Sequence, residues 1–133
     1  SLELRANYEV GAVNLSSVFL EYKDYQRGLR ALEEAFRERK TDLRRGTVEA
    51  VEIANNYAVA LMGIDEKDKA GEVFEDIYDS ANRNPLPVLN YLLFLVEVEK
   101  NKKSAMKVAS KLKLMTEDQE LRKRADELVG RLE

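Results

Sequence analysis

The chain of 133 residues contains no cysteine, no histidine and no tryptophan. The absence of cysteine excludes disulfides and thiol nucleophiles. The absence of histidine excludes imidazole acid–base chemistry and the usual kinds of zinc site. Only two prolines and six glycines interrupt the sequence, which favours long helices joined by short turns. We therefore expect an all-α fold.

An excess of charge of one sign and a long apolar run are also lacking. The chain has 22 basic and 25 acidic residues and a net charge of −3, which argues against nucleic acid as a partner. The most apolar segment, residues 88–98, contains Asn90 and Glu97. It is shorter than the roughly 20 residues that a membrane span needs, so we expect a buried helix there and no membrane span.

Apolar residues at helical spacing, by contrast, are abundant. The run from Asn55 to Pro85 predicts a helix, a tight turn at residues 65–68 and a second helix. Similar patterns predict a hairpin on either side and one last helix, which makes seven helices in all. Among them are helices over about residues 3–21, 24–40, 86–99 and 102–114.

Polar residues indicate where several helices begin. Asp24 and Thr47 are predicted N-caps, and residues 84–87 end the second hairpin and start the third. Thr116 and Gln119 have the spacing of a capping box before the last helix. Residues 40–46 are polar and end in glycine, so they predict a connector.

Three asparagines recur at a fixed offset within the hairpins. Asn14, Asn56 and Asn90 each lie 14 residues before a small residue, and an apolar residue follows that one four positions later. A small side chain allows two antiparallel helices to approach closely, and the apolar neighbour fills the space between them. The small residues are Gly28, Ala70 and Ser104, and the apolar ones are Leu32, Phe74 and Val108.

The asparagines lie 42 and 34 residues apart, and the longer spacing contains eight extra residues near positions 40–47. On these positions the chain resembles the tetratricopeptide repeat (TPR) family, whose period is 34 residues. The resemblance implies a right-handed superhelical solenoid of antiparallel helical hairpins, forming one domain over residues 1–133. Its repeats would cover about residues 7–41, 48–83 and 84–115, with a capping helix over 116–133. The middle unit matches best, through Asn56, Tyr57, Ala58, Leu61, Ala70, Phe74, Asn84 and Pro85.

The resemblance also implies a concave groove lined by the first helix of each hairpin. This groove would be largely apolar, with amides that can donate to and accept from a peptide backbone. Two interpretations of the three asparagines stay open: they bond within and between repeats, or they contact a ligand. The candidate groove residues are Val13, Asn14, Ser17, Leu20, Asn55, Asn56, Val59, Met62, Leu89, Asn90, Leu93 and Val96.

One TPR subset clamps the acidic C-terminal peptides of chaperones through lysine, asparagine and arginine side chains. This chain has Val13, Ser17, Asn56, Leu86 and Asn90 at those positions, and only Asn56 fits, so we reject that function. No glycine-rich phosphate loop is present, and neither serine nor threonine has a histidine to activate it. We expect no enzyme activity, no metal and no cofactor.

The expected function is a protein–protein interaction scaffold that binds a peptide or helix of a partner protein in its groove. The alternative is a structural segment of a larger repeat array or homo-oligomer, whose apolar surfaces stack on other repeats or copies. A third and less favoured possibility is an adaptor that binds nucleic acid or another acidic polymer through the face from Lys102 to Lys113.

The chain begins with Ser1 instead of methionine, so we expect it to be part of a longer protein. No signal peptide is visible at its start. We expect a soluble, cytoplasmic protein by default, or a periplasmic or lipoprotein-anchored one if a targeting segment precedes this sequence.

Overall fold

The computed structural model describes residues 24–133, and within that range the chain is built of helices and short connections. Residues 24–133 contain seven α-helices and no β-strand, which confirms the all-α prediction for this part of the chain. A π-helical turn, Leu95–Glu99, continues the fifth helix. The helices are α1 (Tyr25–Glu38), α2 (Lys40–Leu43), α3 (Val48–Gly63), α4 (Lys67–Asp79), α5 (Pro85–Phe94), α6 (Lys102–Met115) and α7 (Gln119–Gly130).

The seven observed helices do not correspond one for one to the seven predicted helices. The predicted helix over residues 3–21 lies outside the described residues. Helix α2 lies where the sequence predicted only a connector. The predicted helix over residues 86–99 is observed as α5 followed by the π-helical turn.

The described part of the chain divides into two compact units, residues 24–82 and residues 83–133. In the first unit, α3 packs against both α1 and α4. The ring of Tyr25, at the start of α1, fills the space beside Gly63, at the end of α3, so these two helices run antiparallel. A Cβ on Gly63 would lie 2.0 Å from Cγ of Tyr25, and hence only glycine allows this contact. The prediction of one domain over residues 1–133 stays a prediction.

The repeat positions of the first unit lie in its core. Gly28 and Leu32 on α1 are buried, and so are Ala70 and Phe74 on α4. In each helix a small residue and an apolar residue four positions later therefore face neighbouring elements, as the register predicts. Ile53, Ala54 and Ala58 supply buried apolar surface on α3.

Residues 40–47, which we call the insertion segment, fold against the end of α4. Arg39 and Asp42 form an ion pair of 2.9 Å, and Leu43 is buried. The N–H of Ala81 donates to the carbonyl oxygen of Arg44 at 3.3 Å. The eight extra residues of the longer repeat therefore form a helical turn that is fixed to the body of the unit.

The second unit is made of α5, α6 and α7, each of which packs against the other two. Leu92, Leu112 and Leu128 contribute one fully buried side chain from each helix. Val108 is buried, as the repeat register predicts, whereas Ser104 is only half-buried. All three helices therefore contribute to the core of this unit.

Three predictions about helix starts have different outcomes. Asp24 caps α1 as predicted, because its Oδ1 accepts from the N–H of Arg27 at 3.3 Å. Thr47 occupies the predicted cap position of α3, but its side chain makes no capping bond, and its Oγ1 is buried without a hydrogen-bond partner among residues 24–133. Helix α5 begins at Pro85 as predicted, and Asn84 accepts from the next free amide, that of Leu86.

The predicted capping box at Thr116 and Gln119 is wrong. The N-cap of α7 is Asp118, whose Oδ1 accepts from the N–H groups of Glu120 and Leu121 at 2.9 and 3.3 Å. The hydroxyl of Thr116 instead accepts from the N–H of Asp118 at 3.1 Å and forms a turn ahead of the helix. A carboxylate that accepts from two free amides caps a helix better than one hydroxyl, so the helix begins two residues later.

Candidate functional site

Four of the predicted groove residues lie on α3. Asn55, Val59 and Met62 follow one another at spacings of four and three residues, so they share one face of the helix, and Asn56 borders that face. All four side chains are half-buried. Val48 begins the same face and is 68% exposed. This face of α3 therefore presents apolar and amide groups without complete burial.

Four further groove residues were predicted for the helix that begins at Pro85. Leu89, Asn90 and Leu93 lie on α5 and are half-buried, and Leu86 on the same helix is 53% exposed. Val96 lies in the π-helical turn and is only 4% exposed. A π-helical turn has more residues per turn than an α-helix, which changes the direction in which the following side chains point.

The four remaining candidates, Val13, Asn14, Ser17 and Leu20, lie outside the described residues. The partly exposed face on α3 belongs to the first unit, and the one on α5 belongs to the second. We call these the α3 face (Val48, Asn55, Asn56, Val59 and Met62) and the α5 face (Leu86, Leu89, Asn90 and Leu93).

Sequence reasoning missed a cleft of about 640 Å³ in the first unit. It lies between the insertion segment and the last part of α4. Two cationic side chains, two carboxylates and two hydroxyl groups line it, so it can hold polar groups of either charge. The eight extra residues near position 40 were the one signal for it, because an ordered insertion must pack against something. Its lining residues are Lys40, Thr41, Leu43, Arg44, Asp76, Asp79 and Ser80.

The predicted lysine surface is present on α6. Lys103 and Lys107 are exposed, and Lys111 is half-buried. Lys113 is directed to α7, where its Nζ lies 2.8 Å from Oδ1 of Asp126. The lysines of α6 therefore divide between an exposed set and one that joins two helices.

The environment of Tyr57 perturbs its protonation. Its ring lies 4.4 Å from the ring of Phe36, measured between centroids. Burial raises the pKa of the Tyr57 phenol above its ordinary value, repulsion from Glu33 raises it further, and attraction to Arg37 lowers it. A phenol with a raised pKa is neutral at physiological pH, so it supplies packing here and no charge.

This shift predicts how stability changes in alkaline solution. Because the pKa of Tyr57 is higher in the folded state, the neutral phenol stabilises the fold fully below the unfolded-state pKa. That contribution is lost as the pH rises through the folded-state pKa. We expect Tyr57→Phe to remove from an absorbance titration of the phenolate band a component that titrates above the ordinary tyrosine range. If the component that disappears titrates in the ordinary tyrosine range, the pKa of Tyr57 is not raised and the prediction is wrong.

Residues 24–133 contain no cluster of acidic side chains that could hold a metal ion. The helices in the same range are too short or too polar for a membrane crossing. No model of a known protein family, no curated protein and no solved structure matches this chain.

Proposed function

We propose that this protein is a non-enzymatic scaffold that binds a peptide or helix of another protein through the α3 and α5 faces. In this proposal the helices stack as a right-handed solenoid of TPR-like hairpins, and the two faces belong to its concave groove. The chemistry of recognition is apolar contact together with hydrogen bonds from the amides of Asn55, Asn56 and Asn90.

Packing within each unit supports the solenoid part of the proposal. In a solenoid of helical hairpins each inner helix packs against a long helix on either side of it, and α3 packs against α1 and α4. In the second unit α7 packs against both helices of the preceding hairpin, as a capping helix would. Ala70 and Phe74 are fully buried at the positions where the repeat register requires close packing.

The partial exposure of apolar side chains beside amides carries the binding proposal. Val59 and Met62 are half-buried on α3, and Leu89 and Leu93 are half-buried on α5. Removing the remaining exposed apolar area from water would be favourable by about 25 cal/mol per Å². An asparagine can bond to the backbone of any peptide, so affinity would come from apolar contacts and the amides would orient the bound segment.

A displayed random-peptide library tests this proposal. We expect the protein to select peptides with apolar residues at helical or extended spacing. Val59→Asp and Leu93→Asp should each lower the affinity for the selected peptides tenfold or more, since loss of a central contact costs about 2 kcal/mol or more of binding free energy. Leu114→Asp is the matched control, because Leu114 is exposed and lies on α6.

Circular dichroism should show that each variant retains the helical content of the unchanged protein. Peptide binding that is unaffected by both Val59→Asp and Leu93→Asp would overturn the proposal. Selection of no peptide, with other copies of the chain as the only bound partner, would favour the structural-array alternative.

A further inference from the structure

Helix α4 carries a continuous acidic surface. Asp68, Glu72 and Asp76 follow one another at intervals of four residues, and Glu75 and Asp79 lie beside them on the exposed side. All five carboxylates are exposed, and none of them forms an ion pair with another described residue. We call these five residues the acidic face.

Helix α6 carries the opposite charge at the same spacing. Lys103, Lys107 and Lys111 also follow one another at intervals of four residues, and α6 contains no acidic residue. Lys103 and Lys107 are exposed and form no ion pair with another described residue. We call these three lysines the basic face.

Part of each set of charges lies at the end of its helix where the helix dipole disfavours it. The last turn of α4 has no basic residue and contains Asp76 and Asp79, although the C-terminal end of a helix is negative. The first turn of α6 has no acidic residue and begins with Lys102 and Lys103, although the N-terminal end is positive. Lys40 and Arg44 line the cleft beside Asp76 and Asp79 but form no ion pair with either of them. Opposite charge from a second molecule would therefore relieve both of these conflicts.

The central rows of the two faces match in spacing. Asp68, Glu72 and Asp76 cover nine residues, as do Lys103, Lys107 and Lys111, and each row rises by about 12 Å along its helix axis. An antiparallel alignment brings the acidic end of α4 to the lysine-rich start of α6, and it pairs the two helix dipoles favourably. The charge, the spacing and the helix polarity are therefore complementary.

From this complementarity we infer that the acidic face of one copy of the chain docks on the basic face of a second copy. The contact joins different surfaces of the two copies, so the association is head to tail and can continue from copy to copy. It uses α4 and α6, whereas the proposed peptide site uses the α3 and α5 faces.

A polyanion fits the basic face less well than a second copy does. The chain has a net charge of −3, and its acidic face would be repelled by a nucleic acid or an anionic membrane. The basic face has no arginine and no aromatic residue that could stack on bases. A second copy supplies carboxylates at the matching spacing without bringing this repulsion.

Analytical ultracentrifugation of the unchanged chain tests the inference first. We expect the average mass to rise with protein concentration at about 0.1 M salt. At about 1 M salt the rise should disappear, because the screening length falls from about 10 to about 3 Å. Surface ion pairs are individually weak, so the association should be modest and strongly salt-dependent.

Charge reversal then tests the pairing itself. Two double variants reverse the charge of one face each: Lys103→Glu/Lys107→Glu and Glu72→Lys/Glu75→Lys. Each of them should weaken self-association tenfold or more. An equimolar mixture of these two double variants should associate again, and so should the chain that carries all four changes. Lys103→Glu places a negative charge in the first turn of α6, where the helix dipole favours it. The other three changes lie at exposed surface positions between the helix ends, so loss of folding is not expected.

Lys123→Glu/Arg124→Glu is the matched control, because it makes the same change in charge at exposed positions of α7. A chain that stays monomeric at every concentration in low salt would overturn the inference. So would association that the control weakens as much as the Lys103 and Lys107 changes do. If the chain stays monomeric and binds anionic vesicles or DNA through the basic face, the partner of that face is a polyanion. The inference of a second copy would then be wrong.

Discussion

Replacing Phe74 with alanine is expected to lower the free energy of unfolding of the first unit by about 3–5 kcal/mol. Phe74 is fully buried on α4, and Ala70, one turn before it, is also fully buried. The truncation removes buried apolar surface and leaves a cavity that the close contact at Ala70 prevents the helices from closing. A domain is stable by about 5–15 kcal/mol, so this loss is a large part of the total.

Urea unfolding followed by circular dichroism measures the effect. Leu114→Ala is the control, since Leu114 is 90% exposed and its truncation should leave the midpoint almost unchanged. If Phe74→Ala costs no more than Leu114→Ala, the burial of Phe74 is not what holds α4 in place. If the midpoint urea concentration is unchanged but the free energy of unfolding falls with a different slope against urea concentration, the variant has altered the unfolded ensemble instead.

Local chemistry explains what the sequence predicted well. Asp24 and Asn84 cap their helices through bonds to amides two or three residues away, so the residues that decide the boundary are adjacent in sequence. The spacing of Asn55, Val59 and Met62 likewise places them on one face, because the helix period determines it. Their partial exposure was not predictable, since exposure depends on which distant helices pack beside α3.

The features that could not be predicted depend on contacts between distant segments or on competition between neighbours. The cleft exists because the insertion segment meets the end of α4, more than 30 residues further along the chain. Val96 lies in a π-helical turn, whereas the sequence predicted an uninterrupted helix there. Two residues, Thr116 and Asp118, could have capped α7. Asp118 is the observed cap because its carboxylate accepts from two amides.

Gly46 is the second position where a small change should have a large effect. Its φ is +68°, a backbone conformation that costs an L-residue about 1–2 kcal/mol. A Cβ at this position would lie 2.4 Å from the carbonyl carbon of Ala81 and 2.5 Å from the N of Asn82. Both atoms belong to the backbone, so neither can move away by rotating a side chain, and overpacking adds about 1–3 kcal/mol.

We therefore expect Gly46→Ala to destabilise the first unit by about 2–5 kcal/mol, the sum of backbone strain and overpacking. The hydrogen bond from Ala81 to Arg44 should be lost, and its N–H should exchange faster with solvent. Gly46→Asn separates the two causes, because asparagine tolerates the left-handed conformation but still adds a Cβ. If the clash with the backbone of Ala81 and Asn82 dominates, Gly46→Asn should be nearly as destabilising as Gly46→Ala.

Gly130→Ala is the matched control for both variants. Gly130 ends α7, and a Cβ there would meet nothing within 4 Å. Alanine in a helix is favoured over glycine by up to about 1 kcal/mol, so this change should leave stability unchanged or raise it. If Gly46→Ala behaves like Gly130→Ala, the insertion segment is free to move away from Ala81. The cleft beside it would then not be a fixed feature of the fold.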